Sequence, residues 1–280
     1  MPLICFSSPK GGVGKTSLTA NIAHALARAG KRVALLDLDP QNALRLHFGV
    51  PLSDTSGVMM RLGAHGDPFS AMRQTPAGPA LLPHGASDMH QALALGAMLG
   101  ANPGLLMEPV QRLLADPDLI LIADTPPGAS QAMAAILPAA ALVVVILLAD
   151  AASTALLPQV ESGAFLGQGT MESLFASRAR FVLNQVDPAS RLSVSAAESV
   201  ASYLGPRLLG AVLRDPAVSE ALAYQRLLLD HAPLATAARD IQAIAQNLIA
   251  AIARAAPTVA QPAPAPKLPP LIDPASWSRP

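Results

Sequence analysis

Ten residues near the start of the chain, Ser8-Pro9-Lys10-Gly11-Gly12-Val13-Gly14-Lys15-Thr16-Ser17, constrain the fold more than any other stretch. An apolar run, Leu3-Ile4-Cys5-Phe6-Ser7, precedes them with strand character, and residues 16–28 carry Leu18, Ile22, Ala25 and Leu26 near helical spacing. Strand, glycine-rich turn and helix start, in that order, make a phosphate cradle. Glycines let successive backbone N–H groups curl around phosphate oxygens, and the helix start adds unpaired donors and the positive end of its dipole. In that geometry the Lys15 ammonium reaches the β- and γ-phosphates and the Thr16 hydroxyl ligates Mg2+. The plain alternative is a turn at a helix start, against which Gly-Lys-Thr in register argues.

Two later apolar runs end in carboxylates. Residues 32–38 lead into Asp37, Asp39 and a Pro40-Gln41-Asn42 turn, and residues 119–123 lead into Asp124, then Thr125-Pro126-Pro127-Gly128. Ligands of an open parallel sheet bind outside the carboxyl ends of its strands, so these acids should face the glycine-rich loop. Asp124 is then placed to hold Mg2+ through a water. A third run, Phe181-Val182-Leu183-Asn184-Gln185-Val186, ends in Asn184, whose amide offers an acceptor and donors to a base edge. An Asn that caps the next turn would look the same.

Between these runs the pattern predicts helical segments over 43–48, 53–62, 69–74, 89–98, 105–115 and 154–165, with a break at 100–104. It predicts short strands over 80–83, 141–148 and 208–213, and a last helix over 241–252. At 280 residues the chain holds one large α/β domain over 1–255. Beyond Ala255 the composition turns to Pro and Ala with the single Trp277, which reads as a disordered tail over 256–280.

Nineteen basic residues balance nineteen acidic ones, so no global field holds DNA or anionic lipid, although a local patch escapes that sum. The lone Cys5 allows no intrachain disulfide, and a reducing cytoplasm fits. No secretory leader is evident before the first strand. The longest apolar run, 139–149, is too short to span a bilayer and suits a strand buried on both faces. His47, His65, His84 and His90 show no metal-ligand spacing.

One departure narrows the reading. Pro9 stands where the usual phosphate loop begins with glycine, and a second lysine follows it. Lys10-Gly11-Gly12-Val13-Gly14-Lys15-Thr16 resembles the deviant phosphate loop of the ParA/MinD family of dimerising ATPases. Asp37-Leu38-Asp39-Pro40-Gln41 is similar to that family's switch region. The resemblance runs in motif order over roughly residues 2–254 and implies a doubly wound, mostly parallel sheet flanked by helices. It implies ATP and Mg2+ as ligands, with catalytic roles for Lys10, Lys15 and Asp39. Lys10 would cross a homodimer interface to the partner's ATP, and Asp39 would orient the attacking water. Gly11, Gly12, Val13, Gly14, Lys15, Thr16 and Ser17 would hold the phosphates. Thr16, Asp39 and Asp124 would serve the metal, with Asp37 in its hydrogen-bond network. Asn42 would lie near the dimer interface, the Gly128 N–H would sense the γ-phosphate, and Asn184 with the Arg214-Asp215-Pro216 loop would meet the adenine.

Three segments resemble the cellulose-biosynthesis branch of that family, the BcsQ proteins: Asn42-Ala43-Leu44-Arg45-Leu46-His47-Phe48-Gly49, Leu81-Leu82-Pro83-His84-Gly85, and Arg214-Asp215 with Glu220-Ala221-Leu222-Ala223. That branch implies a cytoplasmic protein recruited to the inner membrane through partners: a small BcsR-type protein and the cyclic-di-GMP-responsive cellulose synthase complex. Nucleic acid is then not expected as a partner. A partitioning or cell-division ATPase, and an ATP-locked scaffold that hardly hydrolyses, remain as alternatives. A nitrogenase-type reductase does not, because Cys5 alone cannot hold an iron–sulfur cluster.

Overall fold

Among the described residues, eight strands form one sheet: β1 (Leu3–Ser7), β2 (Arg32–Asp37), β3 (Arg73–Gln74), β4 (Ala80–Leu82), β5 (Leu119–Asp124), β6 (Ala140–Leu148), β7 (Ala179–Val186) and β8 (Leu208–Leu213). The computed structural model describes residues 2–166 and 169–255, so the Pro- and Ala-rich tail with Trp277 lies outside the described residues. Strand order is β3-β4-β2-β5-β1-β6-β7-β8, and every neighbouring pair is parallel except β3 and β4. The chain leaves β1 toward β2 on one side and later resumes at β6 on the other. The order therefore reverses beside β1, and a crevice opens at its carboxyl end.

Among the described residues, eleven helices flank the sheet. They are α1 (Lys15–Arg28), α2 (Val58–Gly63), α3 (Met89–Ala101), α4 (Gly104–Leu114), α5 (Gln131–Ile136), α6 (Ala151–Ser162), α7 (Thr170–Arg178), α8 (Arg191–Leu204), α9 (Pro216–Ala223), α10 (Leu228–His231) and α11 (Thr236–Ala255). Strand side chains alternate between faces, so Leu3, Cys5, Leu36 and Leu121 enter one apolar layer and Ile4, Phe6, Leu35 and Ile122 the other. Helices α2 to α8 close the first layer through residues such as Leu99, Val110, Phe175 and Leu204. The second is closed by α1 and α9 to α11 through Leu18, Ile22, Leu228, Ile241 and Leu248. Each such side chain, fully buried, contributes about 1.5–3 kcal/mol. Cover on both faces is why the central strands read as unbroken apolar runs. Burial of the Cys5 thiol pushes it up to about 12, which leaves it an inert core residue.

The edge strand β8 is guarded by α11. Leu213 N donates to Asp240 Oδ2 at 3.0 Å, and Asn247 Nδ2 donates to the Leu209 carbonyl at 2.8 Å, so side chains occupy backbone groups that a foreign strand would otherwise find.

Several expected elements differ. Residues 53–57 are not helical, and α2 starts at Val58, whose N–H donates to the Pro83 carbonyl at 2.8 Å. Gly57 lies so close to the chain after β4 that a Cβ there would stand 2.0 Å from Gly85 N. Residues 69–74 are not one helix but a 3-10 turn, Pro68–Ala71, followed by β3. The break expected at 100–104 is shorter, because α3 runs through Ala101. The helix expected from 154 begins at Ala151, with Asp150 as its cap: Ser153 N donates to Asp150 Oδ1 at 2.7 Å. Residues 43–48 do form a helical turn, of 3-10 type over Leu44–Phe48.

Candidate nucleotide-binding site

The carboxyl ends of β1, β2 and β5 converge on the start of α1. Gly14 precedes that helix with φ 82° and Gly12 has φ 77°, conformations that L side chains rarely adopt. A Cβ on Gly14 would also stand 2.4 Å from Asn184 Nδ2, so a side chain here would displace the Asn184 amide as well as strain the backbone. Lys15, the first residue of α1, turns its side chain back into the crevice and is 6% exposed.

Asp37 and Asp124 are register partners in the β2–β5 pair, and neither is exposed. Lys15 Nζ lies 2.6 Å from Asp124 Oδ1 and 3.6 Å from Asp39 Oδ2. Thr16 Oγ1 donates to the other Asp124 oxygen at 2.7 Å. Asp37 accepts from the backbone N–H groups of Asp39 and Leu44 at 3.0 and 3.3 Å, which pins the Asp39 turn to the end of β2. Asp39 Oδ1 accepts from Gln41 N at 3.0 Å.

Burial pushes the Asp37 carboxyl well above the usual carboxylate range, and the neighbouring Asp124 charge adds to the effect. Burial raises Asp124 too, against the pull of the Lys15 ammonium. Two acidic side chains, Asp39 and Asp124, thus lie within 3.6 Å of one ammonium, with Asp37 behind them, an oxygen-rich setting that a further cation would fit. All its free donors are oxygens, which suits the hard ion Mg2+. Among the described residues no group of three His, Cys, Asp or Glu side chains could chelate a metal alone. Mg2+ does not need one, since it keeps waters and phosphate oxygens beside one or two protein ligands.

A cleft of about 410 Å3 adjoins this cluster, lined by Gly14, Ser17, Asn184, Arg214, Asp215 and Pro216 among others. The structure therefore brings the residues expected around a base into one recess beside the phosphate loop. Their free valences differ. Asn184 Nδ2 donates to the Val13 carbonyl at 2.8 Å, which ties the end of β7 to the loop and leaves the amide oxygen for a ligand. Both Asp215 oxygens are engaged, by Ala217 N at 3.0 Å and Ala237 N at 3.2 Å, so Asp215 shapes the recess rather than reading a base edge.

At the rim, Lys10 Nζ lies 2.8 Å from Asp150 Oδ2, both side chains about one-third exposed. The Gly128 N–H donates to the Ser8 carbonyl at 2.8 Å, so it meets a phosphate only if that bond opens. Asn42, beyond Asp39, is buried with φ 49°, and neither of its amide atoms finds a partner among the described residues.

Sequence reading missed Thr19 and Asp150. Thr19 Oγ1 lies 2.9 Å from the Lys15 carbonyl, to which it donates, and 3.3 Å from Asp124 Oδ1. Its spacing of four from Lys15 put it on the same helix face. Asp150 follows an apolar strand as Asp124 does, a signal that was there to use.

The family model for "Cellulose biosynthesis protein BcsQ" matches residues 1–249. An uncharacterised ATP-binding protein of Methanocaldococcus jannaschii is 32% identical over 256 residues, 89% of this chain and 88% of that protein. The chromosome-partitioning ATPase Soj of Thermus thermophilus is 28% identical over 267 residues, 90% of this chain and 97% of Soj. The crystal structure of the cell division ATPase MinD of Pyrococcus furiosus matches with a TM-score of 0.71 at 26% identity, covering 89% of this chain and 98% of MinD.

Proposed function

Because the chain belongs to the BcsQ family of cellulose biosynthesis proteins, within the ParA/MinD P-loop ATPases, we propose that it is an ATP-dependent dimerising switch that assembles or localises the bacterial cellulose synthesis machinery at the inner membrane. One observation carries the ATPase part of this reading. Lys15, Thr16, Asp37, Asp39 and Asp124 gather at the carboxyl ends of three adjacent strands, with the Lys15 ammonium against Asp39 and Asp124.

The backbone from Gly11 to Gly14, with Lys15, Thr16 and Ser17, holds the phosphates, and Thr16 with Asp124 and Asp39 serves the metal. Held by Thr16, Asp39 and Asp124, Mg2+ would supply positive charge to stabilise the transferring phosphoryl group. Asp39, fixed through Asp37, positions the attacking water. The partner's Lys10 reaches the same phosphates across a homodimer, after leaving Asp150. The cleft beside Asn184, Arg214 and Pro216 takes the adenine. Phosphoryl transfer depends mainly on positioning and charge stabilisation, so a lone subunit without the second lysine turns over slowly.

Titration calorimetry and phosphate release test the chemistry together. Lys15→Ala should bind no ATP, whereas Asp39→Ala should bind ATP and lose turnover by roughly a hundredfold. Unchanged turnover in Asp39→Ala removes its assigned role.

The cellulose part rests on the family description. Affinity capture with the tagged full chain should bring down cellulose synthase subunits and a small BcsR-type partner when ATP is present. Similarity to Soj supports a second reading, a chromosome- or division-positioning ATPase. That reading predicts DNA binding that weakens steeply with salt, and no recovery of synthase subunits. Turnover that stays absent with partners added would leave a nucleotide-locked scaffold.

A further inference from the structure

A second cleft lies apart from the one beside the phosphate loop. It measures about 540 Å3 and lies between the end of α1, the 3-10 turn Leu44–Phe48, residues 75–77 and the segment 225–233. Its size suits a ligand of up to nucleotide dimensions. Two guanidinium groups line it, Arg28 and Arg226, with a single carboxylate, Asp230.

The pairing leaves positive charge over. Asp230 is shared: Arg28 Nη1 lies 3.3 Å from its Oδ1, and His24 Nε2 lies 3.4 Å from its Oδ2. Arg226 makes one polar contact, Nη2 donating to the Asp230 carbonyl at 3.1 Å, and no ion pair among the described residues. A guanidinium with most of its fork unused is suited to a phosphate or carboxylate.

The opposite wall is mixed. His47 is 4% exposed and makes no hydrogen bond among the described residues, yet it lines the cleft. Burial holds its ring down to about 4, so at neutral pH it offers one donor and one acceptor rather than a charge. Phe48 and Leu227 provide apolar surface beside it.

We propose that this cleft is a second ligand site, which takes a small organic anion by its phosphate or carboxylate at Arg226 and Arg28 and by its apolar body at Phe48 and Leu227. The site is separate from the phosphate loop. It stands whether or not the ATPase reading does. His47 and Phe48 belong to the turn that follows Asp39-Pro40-Gln41-Asn42, and the Leu44 N–H of that turn donates to Asp37, so the cleft shares an element with the Asp37–Asp39 cluster.

The test is a titration of the full chain with phenyl phosphate, followed by the ring-proton signals of His47. The proposal expects saturable shifts with a dissociation constant in roughly the millimolar range. Inorganic phosphate should bind roughly threefold or more weakly, since it lacks the ring. Arg226→Met, a change at an exposed position that keeps the apolar stem, should weaken phenyl phosphate by roughly tenfold. Arg226→Lys should fall between, and Lys15→Ala should bind as the wild type does. The proposal is overturned if His47 shows no saturable shift, if phosphate and phenyl phosphate bind equally, or if Lys15→Ala rather than Arg226→Met abolishes the effect. In that last case the probe sits in the phosphate loop. Failure of ATP to bind the wild-type chain would overturn the ATPase reading alone and leave the His47 titration unaffected.

Discussion

Lys15 Nζ lies 2.6 Å from Asp124 Oδ1, with the carboxylate wholly buried and the ammonium nearly so. A buried pair of this kind adds little against apolar replacements, but losing one partner strands the other in a low dielectric. Asp124→Ala should therefore cost roughly 3 kcal/mol in urea unfolding, the repulsion on Asp37 that it relieves being the smaller effect. Asp124→Asn, which keeps an acceptor for Thr16 or Thr19, should cost less. A loss under about 1 kcal/mol for the alanine variant would mean that Lys15 finds solvent or Asp39 instead.

Gly14 should tolerate no side chain. Gly14→Ala meets both the left-handed backbone cost, about 1–2 kcal/mol, and a contact of 2.4 Å with Asn184 Nδ2. Adding Asn184→Ala should remove the contact and leave the backbone cost, so the two changes are non-additive. Denaturant midpoints of the single and double variants measure this directly.

The Lys10–Asp150 pair competes with the role proposed for Lys10. Half-exposed pairs contribute about 0.2–1 kcal/mol, so the cost of releasing Lys10 is small but finite. Asp150→Asn keeps an oxygen for the Ser153 N–H and frees the lysine. ATP-dependent dimers should then form at a few-fold lower protein concentration in sedimentation, with little change in stability. Unchanged dimerisation would show that Asp150 places no brake on Lys10.

His47 gives the fold an acid-sensitive element. Its folded-state pKa, held down to about 4 by burial, lies below the unfolded value near 6.5. The unfolded chain therefore binds the extra proton between those values, and stability is present above pH 6.5 and lost as pH falls toward 4. The full effect is up to about 3 kcal/mol. Burial lowers His24 and His84 as well, whereas the raised carboxyls of Asp37 and Asp124 act in the opposite sense. The contribution is isolated by comparison: His47→Gln should show a shallower fall of unfolding free energy between pH 6.5 and 4, by up to one proton. An identical slope would contradict the assignment.

What the residues disclosed in advance followed from local pattern. The strand, loop and helix over 3–28 were legible because a buried parallel strand is uniformly apolar and Gly-Lys-Thr marks the turn. Asp37 and Asp124 were legible because each ends such a strand, and Asp39 because it follows one by two residues. Residues 53–57 were misread because their path is set by the Gly57–Gly85 approach and by the Arg73–Asp54 pair at 3.0 Å, contacts across tens of residues. The two-residue strand β3 is too short to show a period. Helices α5, α7 and α8 passed unread, although Ser130 and Ser190 cap two of them and marked their starts. The Asn184–Val13 bond and the Lys10–Asp150 pair join residues 171 and 140 positions apart, which no local pattern records.

At the centre of the proposed function, ATP joins two copies of this chain through Lys10. Sedimentation velocity of the wild type and of Lys10→Ala, each with saturating ATP and Mg2+ and with bound nucleotide measured in the same samples, tests it most directly. The expected result is a wild-type dimer, and a Lys10→Ala monomer that still carries ATP. A wild type that remains monomeric with nucleotide bound, or a Lys10→Ala variant that dimerises equally well, would contradict it.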